Sequence, residues 1–298
     1  METLLAISRL TVTELEVIVV DDGSSPPVEC AIDSQGMQRR VLRTAGVGRS
    51  SARNLGAANS RAPILFFVDD DMSLDRRCVE QHLLAHERWP GSIVTGSIVL
   101  PRVALEQPFG RFRQALEDSG VPASAGPVTE GIVCAAANIS LLRTDFDAIG
   151  GFDPLLSSAE DQDLALRHTA RGGGLVYWPA AAAVHRDDAI DLPSYCQRAE
   201  WGMENLIPFC RKHPDLPDNL ARHRVNGPHL GGEPMGLALR KAVKHLLGTP
   251  VCVAGLFSLV RLSESLVPSK TRERMYRLML GIHLQRGYRR GMARVLAE

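Results

Sequence analysis

The chain has 298 residues, 45% apolar and 23% charged, with 34 Lys/Arg against 34 Asp/Glu. That balance is ordinary for a globular protein with a sizeable core in one large or two smaller domains, and a zero net charge argues against nucleic acid as a partner. The charge is uneven: from Arg240 onward there are twelve Lys/Arg and three Asp/Glu, so an acidic body carries a basic tail. Six scattered cysteines (30, 78, 134, 196, 210 and 252), with no C-x-x-C pair, fit reduced thiols better than a disulfide framework or a zinc site. The opening M-E-T-L-L-A-I-S-R-L lacks a basic leader and a long apolar core, so the expectation is a cytoplasmic protein without a secretory signal.

Residues 3–10 carry an amphipathic helical pattern. Residues 15–20 (L-E-V-I-V-V) read as a buried strand that stops on Asp21-Asp22-Gly23-Ser24-Ser25, delivering two carboxylates into a turn. A short strand is expected at 38–42, a tight turn at Gly46-Val47-Gly48, and an Ala-rich helix at 50–60 opened by hydroxyl residues. Arg53 on that helix has the reach for a diphosphate, and equally the character of a surface arginine. Residues 64–68 (I-L-F-F-V) form an unbroken apolar run after Pro63, the pattern of a strand buried on both faces. It ends on Asp69, Asp70 and Asp71. Three adjacent charges cannot be buried unpartnered, so they must meet water, cations or donors where open α/β sheets bind ligands. A hard divalent cation shared with substrate phosphates would relieve their repulsion.

Residues 75–89 have helical periodicity and 92–100 read as a strand. Residues 101–130 look like a long excursion with one short helix, of a length that is often functional. The strand pattern returns at 133–142, where Asn138 is the one strongly polar side chain available to a ligand. Gly150-Gly151-Phe152-Asp153 precedes S-S-A-E-D-Q-D-L (157–164) and a helix to about Arg171. Ser158-x-x-Asp161 satisfies a capping box, and a carboxylate held by first-turn amides stays ionised, so capping and catalysis are compatible at Asp161. Residues 175–178 and 181–184 read as a strand pair ending at His185, a candidate metal ligand as well as a structural histidine.

A helix is expected at 193–211 and a Pro/Gly-rich hinge across 214–232. Residues 237–267 are apolar but broken by Lys241, Lys244, Pro250, Arg261 and Glu264, leaving no uninterrupted membrane span. The basic helical stretch 272–294 suits either an anionic membrane surface or a helical cap packed on the core.

In order along the chain, D-D-G-S-S, A-R-N-L-G, F-F-V-D-D-D, G-G-F-D and E-D-Q-D-L resemble family 2 glycosyltransferases of the GT-A fold, across roughly residues 14–185. The resemblance implies an α/β domain with a Rossmann-like mixed, mostly parallel sheet flanked by helices (1–212), followed by a hinge and helical region (213–298). It implies a nucleotide-sugar donor, a Mg²⁺ or Mn²⁺ ion, a saccharide, lipid-linked or other hydroxyl acceptor, and inversion at the anomeric carbon. Asp22, beside Asp21, then matches the acid that contacts the nucleotide base. Asp69-x-Asp71 matches the D-x-D motif, with Asp71 on the metal, Asp69 near ribose or metal, and Asp70, Arg53, Asn138 and Glu160 lining the donor. Asp161 matches the general base, and His185 stands where some relatives place a metal ligand. Cell-surface polysaccharide or glycoconjugate synthesis at the inner membrane face is the implied role.

Family members ordinarily open with a further strand and a P-T-Y-N-like loop that helps hold the base, whereas Met1 here falls inside the expected following helix. A non-catalytic nucleotide-sugar-binding or scaffold protein with an incomplete donor site is therefore the alternative. A D-x-D phosphatase is disfavoured, because the motif follows another acid-ending strand and no lysine precedes Arg211.

Overall fold

The computed structural model describes residues 2–28, 38–187, 190–228, 231–264 and 266–297. The chain forms two compact units that divide after residue 188, not after 212 as the hinge composition suggested. The reason is that α8 (Leu192–Asn205) packs along α13 (Ser269–Ala297) and so belongs with the C-terminal helices.

The first unit is the expected mixed α/β layer. After α1 (Glu2–Ile7), β1 (Glu16–Asp21) pairs in parallel with β2 (Gln38–Arg43), and α2 (Arg49–Ala58) follows. The main sheet has the order β3 (Ile64–Val68), β7 (Asn138–Leu142), β5 (Ser92–Val99), β8 (Gly174–His185), β4 (Met72–Leu74), with β6 (Gly126–Pro127) also on β8. Strands β3, β5 and β8 run in one direction; β7, set between β3 and β5, runs against them, as do β4 and β6. Helices α3 (Cys78–Arg88), α4 (Arg102–Leu105), α5 (Pro108–Asp118), α6 (Arg143–Ala148) and α7 (Glu160–Ala170) complete the unit. The 101–130 excursion thus holds two helices where one was expected.

Side chains alternate along a strand, and β3 shows the consequence. Leu65 and Phe67 enter a core with Ile93, Ile139, Leu141, Phe146, Phe152 and Leu164. Phe66 and Val68 pack on the opposite face with Ile7, Leu10, Met72, Leu74 and Val79. The apolar run is explained by cover on both faces, and it leaves the next residues, Asp69–Asp71, at the sheet's end.

The expected strand pair at 175–184 is one long strand. It shifts register against β5 between Gly96 and Ser97, where partners jump from Trp178 to Ala182. A bulge leaves ladder groups unpaired, and Asn138 takes them up: its amide donates to the Ser97 carbonyl at 3.1 Å and the Ala181 carbonyl at 2.9 Å. Position 96 has to be glycine for this, since a Cβ there would lie 2.3 Å from the Asn138 amide nitrogen and 2.1 Å from the Ala181 oxygen.

The second unit is helical: α8, α9 (Ile207–Lys212), α10 (Pro217–Asn226), α11 (Met235–Leu247), α12 (Pro250–Ser263) and α13. The proline-rich stretch read as a hinge contains α10, with Pro217 in its first turn, where proline needs no hydrogen bond. Gly287 and Gly291 of α13 sit one turn apart where a Cβ would meet the Glu200 and Glu204 carbonyls of α8 at 2.1 and 2.4 Å. Small residues at that spacing let the two backbones close up. The basic 272–294 stretch therefore carries a packed face, with Tyr276, Met279, Ile282 and Tyr288 buried.

Candidate active site

Three elements bring acids to one sheet edge: the end of β3, the start of β4 and the start of α7. Arg53 of α2 ties two of them together. Its guanidinium donates to Asp69 Oδ1 and to Glu160 Oε1, each at 2.7 Å, and lies 5.4 Å from the centre of the Phe152 ring. Burial alone would lower the Arg53 pKa, but the Asp69 and Glu160 carboxylates outweigh it and raise it. Arg53 is therefore a fixed cation between two acids. Arg49, one helical turn earlier, adds a second at 3.7 Å from Glu160; it was missed in the sequence, though its i, i+4 spacing puts it on the same helix face as Arg53.

Asp161 stands beside Glu160. Its Oδ2 accepts from the Ala136 amide at 3.2 Å and its Oδ1 from the Gln162 amide at 2.8 Å. Closely surrounded by protein, though the residue keeps some solvent access, its carboxyl is raised to about 6 by desolvation and then by the Glu160 charge. The expected capping box is not formed: Ala159 is the N-cap, in the left-handed region at φ 59°, and no side chain caps the helix. Asp161 is thus not engaged by Ser158 in a cap, and the turn into the Glu160–Asp161 pair passes through the left-handed Ala159.

Asp71 and His185 meet because Met72 pairs with His185 in the β4–β8 ladder. Asp71 Oδ2 lies 3.0 Å from His185 Nε2, and that hydrogen bond raises the His185 pKa. Asp71 and Asp70 are exposed, and the Asp70 carbonyl accepts from the Thr3 hydroxyl at 2.5 Å. Asp71 and His185 are the side chains here that would hold a Mg²⁺ or Mn²⁺ ion, and binding would require His185 to give up the proton that Asp71 stabilises. No group of three or more His, Cys, Asp or Glu forms a metal cage among the described residues. Asp69 joins this edge through Arg53, with one carboxylate oxygen on the guanidinium.

Asp21 and Asp22 are engaged by the loops that follow them. Asp21 accepts from the amides of Ser24 at 2.8 Å and Val28 at 3.1 Å and pairs with Arg43. The two amides, with Arg43, depress its pKa to about 2 against the opposing effect of burial. Asp22 accepts from the Thr44 hydroxyl and from the Val47 and Gly48 amides at 2.7 and 2.8 Å, which lower its pKa, the Thr44 bond most. It fixes the turn that opens α2, and so the position of Arg53.

Asn138 is a correction. It is fully buried, its amide consumed by the bulge and its oxygen by His82 Nε2 at 2.9 Å, so it faces no ligand. His82 in turn meets the Ser140 hydroxyl at 2.8 Å, as does His86. Burial lowers the His82 pKa to about 4, keeping it neutral. A cavity of about 340 Å³ lined by Gly91, Asp145, His168 and Arg171 lies toward the other end of α7, away from these acids.

Residues 1–112 match the family model described as glycosyl transferase family 2. Pre-mycofactocin glycosyltransferase from Mycobacterium tuberculosis, in strains CDC 1551 / Oshkosh and ATCC 25618 / H37Rv, is 30% identical over 208 residues. That stretch is 67% of this chain and 43% of those proteins, so the chain spans less than half the length of the curated relatives it matches. The mannosyltransferase PcManGT from Pyrobaculum calidifontis, solved with GDP-Man and Mn²⁺, superposes with a TM-score of 0.58 at 16% identity, over 96% of this chain and 82% of that one. At that identity the likeness is one of fold. The fold is of the GT-A type. The chain belongs to glycosyltransferase family 2.

Proposed function

We propose that this chain transfers a sugar from a nucleotide-sugar donor to a hydroxyl acceptor, with inversion and with a divalent cation. The observation that carries the reading is the Asp69–Arg53–Glu160 bridge, which holds the D-x-D segment next to Asp161. Asp71 and His185 would hold the cation, which would neutralise charge on the departing diphosphate. Arg53 adds fixed positive charge at the same edge. Asp161 accepts the acceptor's hydroxyl proton; a carboxyl at about 6 is ionised at neutral pH and a stronger base than an ordinary aspartate. One carboxylate suffices, because direct displacement forms no covalent intermediate. Asp21 and Asp22 form the floor beneath the nucleotide base.

The solved mannosyltransferase carries GDP-Man and Mn²⁺ by its description, which supports a nucleotide-sugar donor and Mn²⁺ here. Two acceptor classes are to be tried: a saccharide or lipid-linked acceptor of cell-surface synthesis, and pre-mycofactocin, which the curated relatives' name supplies. We propose the cytoplasm, at the inner membrane face, as the place of transfer.

Donor binding and transfer separate this enzyme from a non-catalytic binding protein. Asp161→Asn is expected to lose about 10²–10⁴ in transfer rate while keeping metal-dependent donor binding, and Asp71→Ala to lose both. Equal loss of donor binding in the two variants would remove Asp161 from the role of base. Binding without any turnover by the wild type would favour the scaffold alternative.

A further inference from the structure

Helix α11 is built inside out. Both of its lysines turn inward: Lys241 is 2% exposed, donates to the Pro228 carbonyl at 2.9 Å and pairs with Glu233, and Lys244 crosses Gly281 of α13. Its apolar side chains turn outward, with Met235, Leu239 and Leu246 at 85%, 63% and 71% exposure. Helix α12 buries Val253 and Val260 but exposes Val251 and Leu262, and Leu266 follows beyond its end. A surface helix normally hides its apolar stripe; two adjacent helices that display theirs point to an apolar medium outside the protein.

We propose that α11 and α12 form a docking surface for an anionic phospholipid bilayer. Met235, Leu239, Leu246, Val251, Leu262 and Leu266 enter the acyl boundary, and Arg240 and Arg261, both exposed, sit at the headgroups. Charge selects this occupant. Residues 234–263 contain no Asp or Glu, and of their four Lys/Arg the exposed ones are Arg240 and Arg261. A second copy seated symmetrically on this face would set these cations against their own kind, whereas anionic headgroups complement them. No single helix among the described residues is long and apolar enough to span; α11 and α12 together have the length and composition of a broken span, but they meet at 95°, and we assign them to the bilayer surface. The contact thus moves from the basic α13, to which the sequence pattern pointed, onto the helices before it. It deepens the inner-face location given above and is independent of the donor chemistry.

The test is co-sedimentation of the full chain with phosphatidylcholine vesicles, with and without phosphatidylglycerol. The wild type is expected to sediment with the anionic vesicles, less so as salt rises. Leu239→Ser/Leu246→Ser/Leu262→Ser is expected to abolish this with unchanged circular dichroism and Tm, and Arg240→Gln to weaken it about fivefold. Absence of wild-type binding, or undiminished binding by the triple variant, would overturn the proposal. So would light scattering that finds a wild-type dimer made monomeric by the triple variant, which would assign the face to a second copy. A nucleotide thermal shift on the same preparations separates the two readings: vesicle binding without it would sink the donor site alone, and the reverse would sink only this surface.

Discussion

Two strands of this protein end on carboxylates, and the chain treats them in opposite ways. After β1, the following loops donate amides, a hydroxyl and a guanidinium to Asp21 and Asp22, so both are anchored within the fold. After β3, Asp70 and Asp71 remain exposed, and the contacts of Asp69 and Asp71 described above are to side chains, Arg53 and His185. Side chains can turn toward a ligand; amides that define a turn cannot. The exposed acids after β3 can turn toward a ligand, while the anchored pair after β1 offers a fixed surface and sets the turn that aims Arg53.

The largest expected effect comes from exchanging the roles. Asp71→Ala should lower transfer by about 10³-fold or more, as loss of a metal clamp would, with Tm nearly unchanged. Asp22→Ala should instead lower stability by about 1–2 kcal/mol, and Tm with it, through the freed Thr44, Val47 and Gly48 donors. Unfolding by Asp71→Ala with an intact Asp22→Ala would reverse the comparison. Next, Arg53→Met removes the partner of the buried Glu160 and should cost about 3 kcal/mol in urea denaturation, since a lone buried charge is left near Arg49 only. An unchanged midpoint would show that the bridge contributes nothing to the fold.

The smallest effect sharpens the account of Asp161. Its carboxyl is raised from the ordinary aspartate range to about 6, so between roughly pH 4 and 6 the folded state binds more protons than the unfolded one. Wild-type stability should therefore fall as pH rises through that window. Asp161→Asn should gain about 1–2 kcal/mol at pH 7, discounted for solvent access, or roughly 2–4 °C per kcal/mol, and nothing near pH 4. A constant gain at both pH values would remove the titration from the explanation. Transfer by the wild type should decline below about pH 6 for the same reason.

The sequence made local features legible. Strands β1, β3 and β5, the helices between them and the ordered acids follow from runs, breaks and turns along the chain, and the Asp71–His185 meeting was anticipated without its ladder. What the pattern missed was long-range. Asn138 looked available because nothing near it in sequence shows that a bulge 41 residues away, at Ser97, needs its amide. The capping box failed because Ala159, not Ser158, is the N-cap and takes a left-handed conformation. The boundary after residue 188 depends on Gly287 and Gly291 meeting α8. The outward leucines of α11 were present in the sequence, but their direction was set by Lys241 finding Glu233 and a carbonyl indoors.

The central claim, that the open edge at Asp69–Asp71 is the donor site, is tested most directly by thermal shift with UDP, GDP, dTDP and CMP, with and without Mn²⁺. The account predicts stabilisation by one nucleotide only when the metal is present, kept in Asp161→Asn and lost in Asp71→Ala. A shift that ignores the metal, or survives in Asp71→Ala, would contradict it.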